Sequence, residues 1–434
     1  MKHYISDEGS GERISVEFGS EMGPVDVVRI LAEIRESLTP QFFGIKKGGS
    51  VSSDVQLRDG RLYFSCCDGN FYCLDAGSGR ELWRFPAGDV MPAFEMDEDT
   101  IYASCFDYNL YALTLEGKLK WKFATNGKLG NNPCPHKGRV YLTCEDGNLY
   151  CIGKEGGKLV WKFPTSSPIS AIPTVHKGRV LFGNFDGNFY ALDAETGELA
   201  WKFRCNSPTG GCDVHDDIIL IPSVDKRLYA LGLDGNLLWT YKSSVPLAPN
   251  MRTDIFNGKL FMGNRGRSIT AIELKTGRKV WEFPTGEMTF NYNKTVGGVL
   301  YFGSCDCNFY AVDAGIGKEI WHFTTTGPNV GSVEVSGERV YFGSWDCHMY
   351  CLERKTGRLI WKFQTSMSNM SDYEVDTRAD RQELEITIPA PEKGRHKKRE
   401  EDEVTVADYG EFSGAYIDTT KTDYLGLKKK GYVK

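Results

Sequence analysis

The sequence has no apolar run approaching the roughly 20 residues a helix needs to cross a bilayer, so no membrane span is expected. It has no excess of positive charge: the formal net charge is −6, and nucleic acid demands a basic stripe or patch that is absent here. Histidine is scarce, seven residues at scattered positions, and His136 and His176 stand at equivalent turn positions rather than as a catalytic pair. No Cys-x-x-Cys spacing, nucleophile elbow, phosphate loop or metalloprotease motif occurs. Residues 1–23 are polar and mixed in charge, unlike a secretory signal. The thirteen cysteines are therefore expected to be reduced thiols of a cytoplasmic protein.

Aromatic residues and glycine, by contrast, are plentiful. The chain holds 24 Phe, 21 Tyr and 48 Gly, a composition suited to short strands joined by tight turns. Eight of its nine tryptophans, Trp83, Trp121, Trp161, Trp201, Trp239, Trp281, Trp321 and Trp361, follow one another at spacings of 38, 40, 40, 38, 42, 40 and 40 residues. A period near forty is the signature of a repeat architecture. The fourth unit shows its content. Alternating apolar residues mark strands at 179–183, 189–193 and 199–203, with a further strand upstream at 169–175. Asp186-Gly187-Asn188 makes a hairpin turn between the first two, because these residues accept positive φ or bond their own backbone. Four short antiparallel strands per unit make a propeller blade, and blades stacked in a ring bury the faces that a lone blade exposes. The expected fold is all-β: one eight-bladed propeller over residues 46–370.

The pattern Ala-x-Asp-x-x-Thr-Gly-x-x-x-Trp, complete at Ala191 to Trp201 with close variants ending at Trp83, Trp281, Trp321 and Trp361, resembles the docking motif of the pyrroloquinoline-quinone-type propellers. The resemblance implies that each indole wedges against the neighbouring blade, so the eight tryptophans are structural. Folds host many functions, and the motif does not select one. The resembled dehydrogenases use a vicinal disulfide beside their cofactor. Cys66-Cys67 is such a pair, but it falls in the strand-end position that Asn184-Phe185 and Ser344-Trp345 occupy in other blades. No match to the calcium-binding and catalytic aspartates of those enzymes is found, and no cofactor is expected.

Outside the repeats, residues 1–45 form an extension in which 24–38 has helical spacing, with Pro24 suited to a first turn and Pro40 following the end. Residues 371–434 carry a charge block at 389–403 that cannot repay its ordering by burial, an expected solvated and partly disordered linker. Aromatics return at Tyr409, Phe412, Tyr416, Tyr424 and Tyr432, which suggests a tail that docks. Either Arg13 to Phe18 or the chain after Trp361 could pair across the first and last blades to close the ring.

Blade six departs from the repeat. Where the others carry a turn aspartate (Asp68, Asp107, Asp146, Asp186, Asp225, Asp306, Asp346), it reads Asn264-Arg265-Gly266-Arg267-Ser268. With Arg252 upstream and Asn291, Tyr292 and Asn293 opening blade seven, this sector is the candidate ligand site, since guanidinium groups recognise carboxylate or phosphate. Cys66, Cys105 and Cys144 share one repeat position and could meet on a soft metal; small Ser223, Ser304 and Ser344 at that position elsewhere favour simple packing. Three functions follow in order of expectation: a non-catalytic scaffold for a protein partner, a redox or quinone- or metal-dependent enzyme using the funnel, and a sensor of a small anionic metabolite. The first has a precedent in the resembled family, whose member in bacterial outer-membrane barrel assembly is a scaffold without cofactor.

Overall fold

The computed structural model describes residues 49–365, apart from 52, 206, 208, 246, 248–253 and 291, together with the backbone of three strands near the termini. The expected helix over 24–38 and the docking tail lie outside the described residues. Eight four-stranded antiparallel sheets follow one another at residues 55–86, 93–124, 134–164, 174–204, 213–242, 255–284, 294–324 and 333–364, and these are the blades. The first strands of neighbouring blades touch each other, which places them innermost, around the axis. The fourth strands carry the tryptophans and show an exposed outer edge.

Blade four illustrates why the sequence folds this way. Strands Arg179–Gly183 and Asn188–Asp193 are apolar on both faces and buried on both, because each face meets another blade. Between them Asn188 donates its backbone N–H to Asp186 Oδ1 at 2.8 Å, and the Tyr190 hydroxyl donates to Asp186 Oδ2 at 2.7 Å. This Asp–Tyr clasp recurs at Asp68–Tyr72, Asp107–Tyr111, Asp146–Tyr150, Asp225–Tyr229, Asp306–Tyr310 and Asp346–Tyr350. The innermost strand is shorter than the sequence suggests, Thr174–His176, and 169–173 is a crossing loop, as before the equally short Cys134–His136 and Asp213–His215.

The tryptophans join the blades. Trp161 donates its indole N–H to Glu195 O of the next blade at 3.1 Å, and its ring covers Gly197. A Cβ on Gly197, whose φ is +76°, would lie 2.7 Å from the indole, so only glycine fits there. The same glycine contact is made at Gly79, Gly117, Gly157, Gly235, Gly277, Gly317 and Gly357. The eight hydrophobic cores each span two adjacent blades, and one of them unites Leu62, Phe64 and Tyr72 of the first blade with Tyr341, Met349 and Cys351 of the last.

The ring closes at that seam without exchanging a strand. Each blade is built from four consecutive strands. Trp361 covers Gly79 and donates to Ala76 O at 3.2 Å, Arg339 Nη1 donates to Ala76 O and Gly77 O at 2.8 Å each, and Val51 N donates to Ser344 O at 3.0 Å. Arg13–Phe18 instead pairs antiparallel with Lys2–Ser6 and parallel with Leu384–Ile388, forming a three-stranded sheet that belongs to a compact unit separate from the ring.

Candidate functional site: the axial channel

Register identifies what lines the axis. In seven blades the residue paired with the central residue of the second strand is Gln56, Glu95, Cys134, Thr174, Asp213, Lys294 or Glu334, opposite Tyr63, Tyr102, Tyr141, Leu181, Leu220, Tyr301 and Tyr341. In the sixth blade Asp254 holds this place, one residue before Ile255, which pairs with Leu260. All eight are partly exposed, as are several of their neighbours on the innermost strands, and each of the seven paired ones shares a blade face with the residue opposite it. Four are carboxylates and one is a lysine.

Three of these positions hydrogen-bond toward the next blade. Gln56 Nε2 donates to Glu95 Oε1 at 2.6 Å, Thr174 Oγ1 donates to Cys212 O at 3.0 Å, and Thr295 N donates to Asp254 Oδ2 at 2.6 Å. Burial raises the Glu334 carboxyl above its usual range; the Lys294 charge opposes that rise and the Asp254 charge adds to it. Across blades two to five the channel wall opens into a cavity of about 370 Å³. Glu95 and Asp213 stand at its ends, Cys134 and Thr174 between them, and Met96, Ile172 and Val175 give it apolar walls.

The blade-six sector is only partly drawn together. Arg252 and Asn291 lie outside the described residues. Arg265 and Arg267 share one exposed turn, where Arg267 adopts φ +62° and pairs with Glu287 at 2.8 Å. Asn293 turns away into the seam: it is buried and its Nδ2 donates to Phe261 O at 3.0 Å, while its Oδ1 has no partner among the described residues. Tyr292 is half-buried beside it. In this blade Gly266 and Thr270 stand where the clasp would be, and Asn264 Nδ2 donates to Ser268 Oγ, which donates to Glu282 Oε1 at 2.7 Å.

Cys66, Cys105 and Cys144 do not converge. Each is buried in a different interblade core, and each thiol donates to a carbonyl of the loop leading into its own blade: Ser50 O, Asp89 O and Lys128 O. Ser344 Oγ makes the same contact to Gly327 O, so the repeated slot pins that loop. Burial pushes the Cys105 and Cys144 thiols up to about 12 and Cys66 well above its ordinary value, which leaves them protonated and poor as ligands or nucleophiles. Cys66 and Cys67 are not joined in the vicinal disulfide of quinone-dependent dehydrogenases. Among the described residues no three Cys, His, Asp or Glu are grouped to hold a metal ion, so the axial carboxylates do not form a calcium cradle for a quinone.

Sequence reasoning missed the axial ring. The signal was present, since each of its residues precedes a docking tryptophan by 26 or 27 positions, but its chemistry changes from repeat to repeat.

Comparison with solved structures agrees on the fold. The computationally designed Ika8 protein superposes with a TM-score of 0.64 at 12% identity, covering 71% of this chain and 96% of its own. BamB from Moraxella catarrhalis does so with a TM-score of 0.58 at 18% identity, covering 68% and 94% respectively. The quinohemoprotein alcohol dehydrogenase ADHIIG from Pseudomonas putida HK5 gives 0.57 at 15% identity, covering 68% and 70%. No curated protein sequence matches significantly. The family model described as outer membrane protein assembly factor BamB matches residues 7–133, 117–188, 145–295 and 294–381. Repeat, docking motif and matched span agree: the chain belongs to this family of pyrroloquinoline-quinone-type propellers.

Proposed function

We propose that this propeller is a non-catalytic scaffold that holds a protein partner through its loop-covered faces and its channel. One observation carries the reading. The repeat keeps the residues that build the ring, yet its axial position holds glutamine, glutamate, cysteine, threonine, aspartate and lysine. The fold does not dictate that position, and a rigid ring presenting varied side chains on preformed walls suits recognition. The buried, protonated thiols offer little to redox chemistry, and the similarity to BamB gives the scaffold reading a precedent. No helix among the described residues is long and apolar enough to cross a membrane.

The anionic-metabolite reading rests on Arg265 and Arg267, and the Glu287 carboxylate already engages the second of these. The proposal includes a reducing, cytoplasmic setting, with none of the thirteen cysteines in a disulfide. The test is purification of the full chain from its native source, without reductant, recording absorbance, metal content, thiol titre and co-eluting proteins. A colourless protein that migrates with a stoichiometric partner is expected. A visible chromophore or stoichiometric metal would overturn the scaffold reading.

A further inference from the structure

We propose that the axial channel receives a basic segment of a protein partner, with a lysine or arginine side chain seated between Glu95 and Asp213. This inference rests on the scaffold reading and specifies the chemistry of the partner.

Three features converge on it. The first is the charge of the ring. Glu95, Asp213, Asp254 and Glu334 occupy equivalent innermost positions, the first two lining the cavity, with Lys294 as the one basic residue at that position among the described residues. An acidic segment or a small anion would meet these carboxylates at close range, whereas a cation is drawn in, because low-dielectric walls focus the field of a charged cleft.

The second is the shape and lining of the cavity. At about 370 Å³ it lies at the small end of the range for ligand sites, roughly 300–1,000 Å³. Met96, Pro135, Ile172 and Val175 give it apolar sides, and carboxylates stand at both ends. That arrangement complements a side chain with an apolar stem and a charged head, as lysine and arginine have. A bare metal ion would find too few oxygens gathered at one point.

The third is the far wall. Burial disfavours the charge on Glu334, Asp254 adds to that penalty, and Lys294 offsets only part of it. Glu334, Lys294 and Asp254 stand at equivalent positions of three consecutive blades, two carboxylates to one lysine, so a second cationic residue of the same segment is favoured there.

The test uses the full-length chain and a fluorescein-labelled nonapeptide of alternating arginine and serine, with a glutamate–serine peptide as control, read by fluorescence anisotropy. The wild type is expected to bind the basic peptide and not the acidic one, more weakly as salt rises. Glu95→Gln with Asp213→Asn should weaken binding about tenfold or more. Glu155→Gln with Glu198→Gln, the same loss of charge at exposed turns of the blades, should change it less than about twofold. Equal losses in the two double variants, or none in the first, overturn the proposal.

Should the channel variant fold poorly, Cys134 gives a second readout in the wild type. It is partly exposed in the cavity wall, and its alkylation, mapped by mass spectrometry, should slow when the basic peptide is bound. Unchanged alkylation at saturating peptide also overturns the proposal. If the native partner still binds the channel variant as tightly as wild type, the channel proposal falls while the scaffold reading stands. If no partner exists, the scaffold reading fails by itself.

Discussion

The tryptophan belt and the axial ring are built from the same eight repeats, and the two regions obey opposite rules. In the belt one residue type recurs at every blade, each indole covering a glycine of its neighbour. At the axis six residue types share eight positions. The belt contact tolerates no alternative, because a Cβ at any of the eight glycines would lie within 3 Å of a ring carbon. The axis has no such constraint: a channel-facing side chain needs only water or a partner. The ring therefore separates positions that make it a propeller from positions the fold leaves free to vary. Blade six shows the boundary between them, since it keeps Trp281 and Gly277 but replaces the Asp–Tyr clasp.

The comparison breaks most visibly at the belt. Trp201→Ala is expected to cost about 3–5 kcal/mol, the range for emptying a large aromatic site. It removes the cover of Gly235 and the indole hydrogen bond to Leu233 O. Gly235→Ala should also destabilise, through both the contact and the left-handed backbone at φ +83°. Urea unfolding measures both, and a loss below about 1 kcal/mol for Trp201→Ala would show that the belt is dispensable.

The clasps have an intermediate effect with a pH signature. Tyr190→Phe removes one hydrogen bond to a carboxylate and should cost about 1 kcal/mol at neutral pH. Burial alone would raise the Asp186 carboxyl, but hydrogen bonds from Tyr190, Asn188 and Ser166 outweigh it and hold the group below its ordinary value. Asp107 and Asp146 behave alike. A carboxylate depressed in the folded state contributes stability above its unfolded pKa, near 3.9, and loses that contribution as pH falls through the lower folded value. The Tyr190→Phe penalty should therefore shrink in unfolding curves recorded below about pH 4. A penalty independent of pH would assign it to packing rather than to the hydrogen bond.

What the sequence revealed follows the same division. Blade count, turn aspartates and docking tryptophans were legible because a ring repeats what it needs. The innermost strand was overextended, because 169–175 alternates like a strand while only 174–176 pairs with the second strand. Closure of the ring was open between two candidate segments: Arg13–Phe18 pairs in another sheet, whereas the chain just after Trp361 joins the seam between blades one and eight, Phe363 packing on Phe64 and Tyr72 and Thr365 donating to Gly49 O. The blade-six arginines were visible as a departure from pattern, yet Asn293, grouped with them by proximity in sequence, serves the seam through Phe261 O. The axial ring was hidden because only the register of first and second strands, not residue type, marks it.

The smallest effect has the opposite sign and sharpens the comparison. Glu334 is an axial carboxylate whose charge burial disfavours, so its folded pKa lies above its unfolded one. Such a group favours the folded state most at low pH and becomes a penalty as pH rises through the folded value. Glu334→Gln should therefore leave stability unchanged or raise it by up to about 0.5 kcal/mol at neutral pH, with the gain larger at pH 8 than at pH 5. Asp186→Asn, which breaks a clasp, should lose stability under the same conditions. If Glu334→Gln destabilises as much as Asp186→Asn, the axis is part of the framework and its variety needs another cause. If the signs differ, the axial carboxylate is held against the interest of folding, as a residue kept for binding would be.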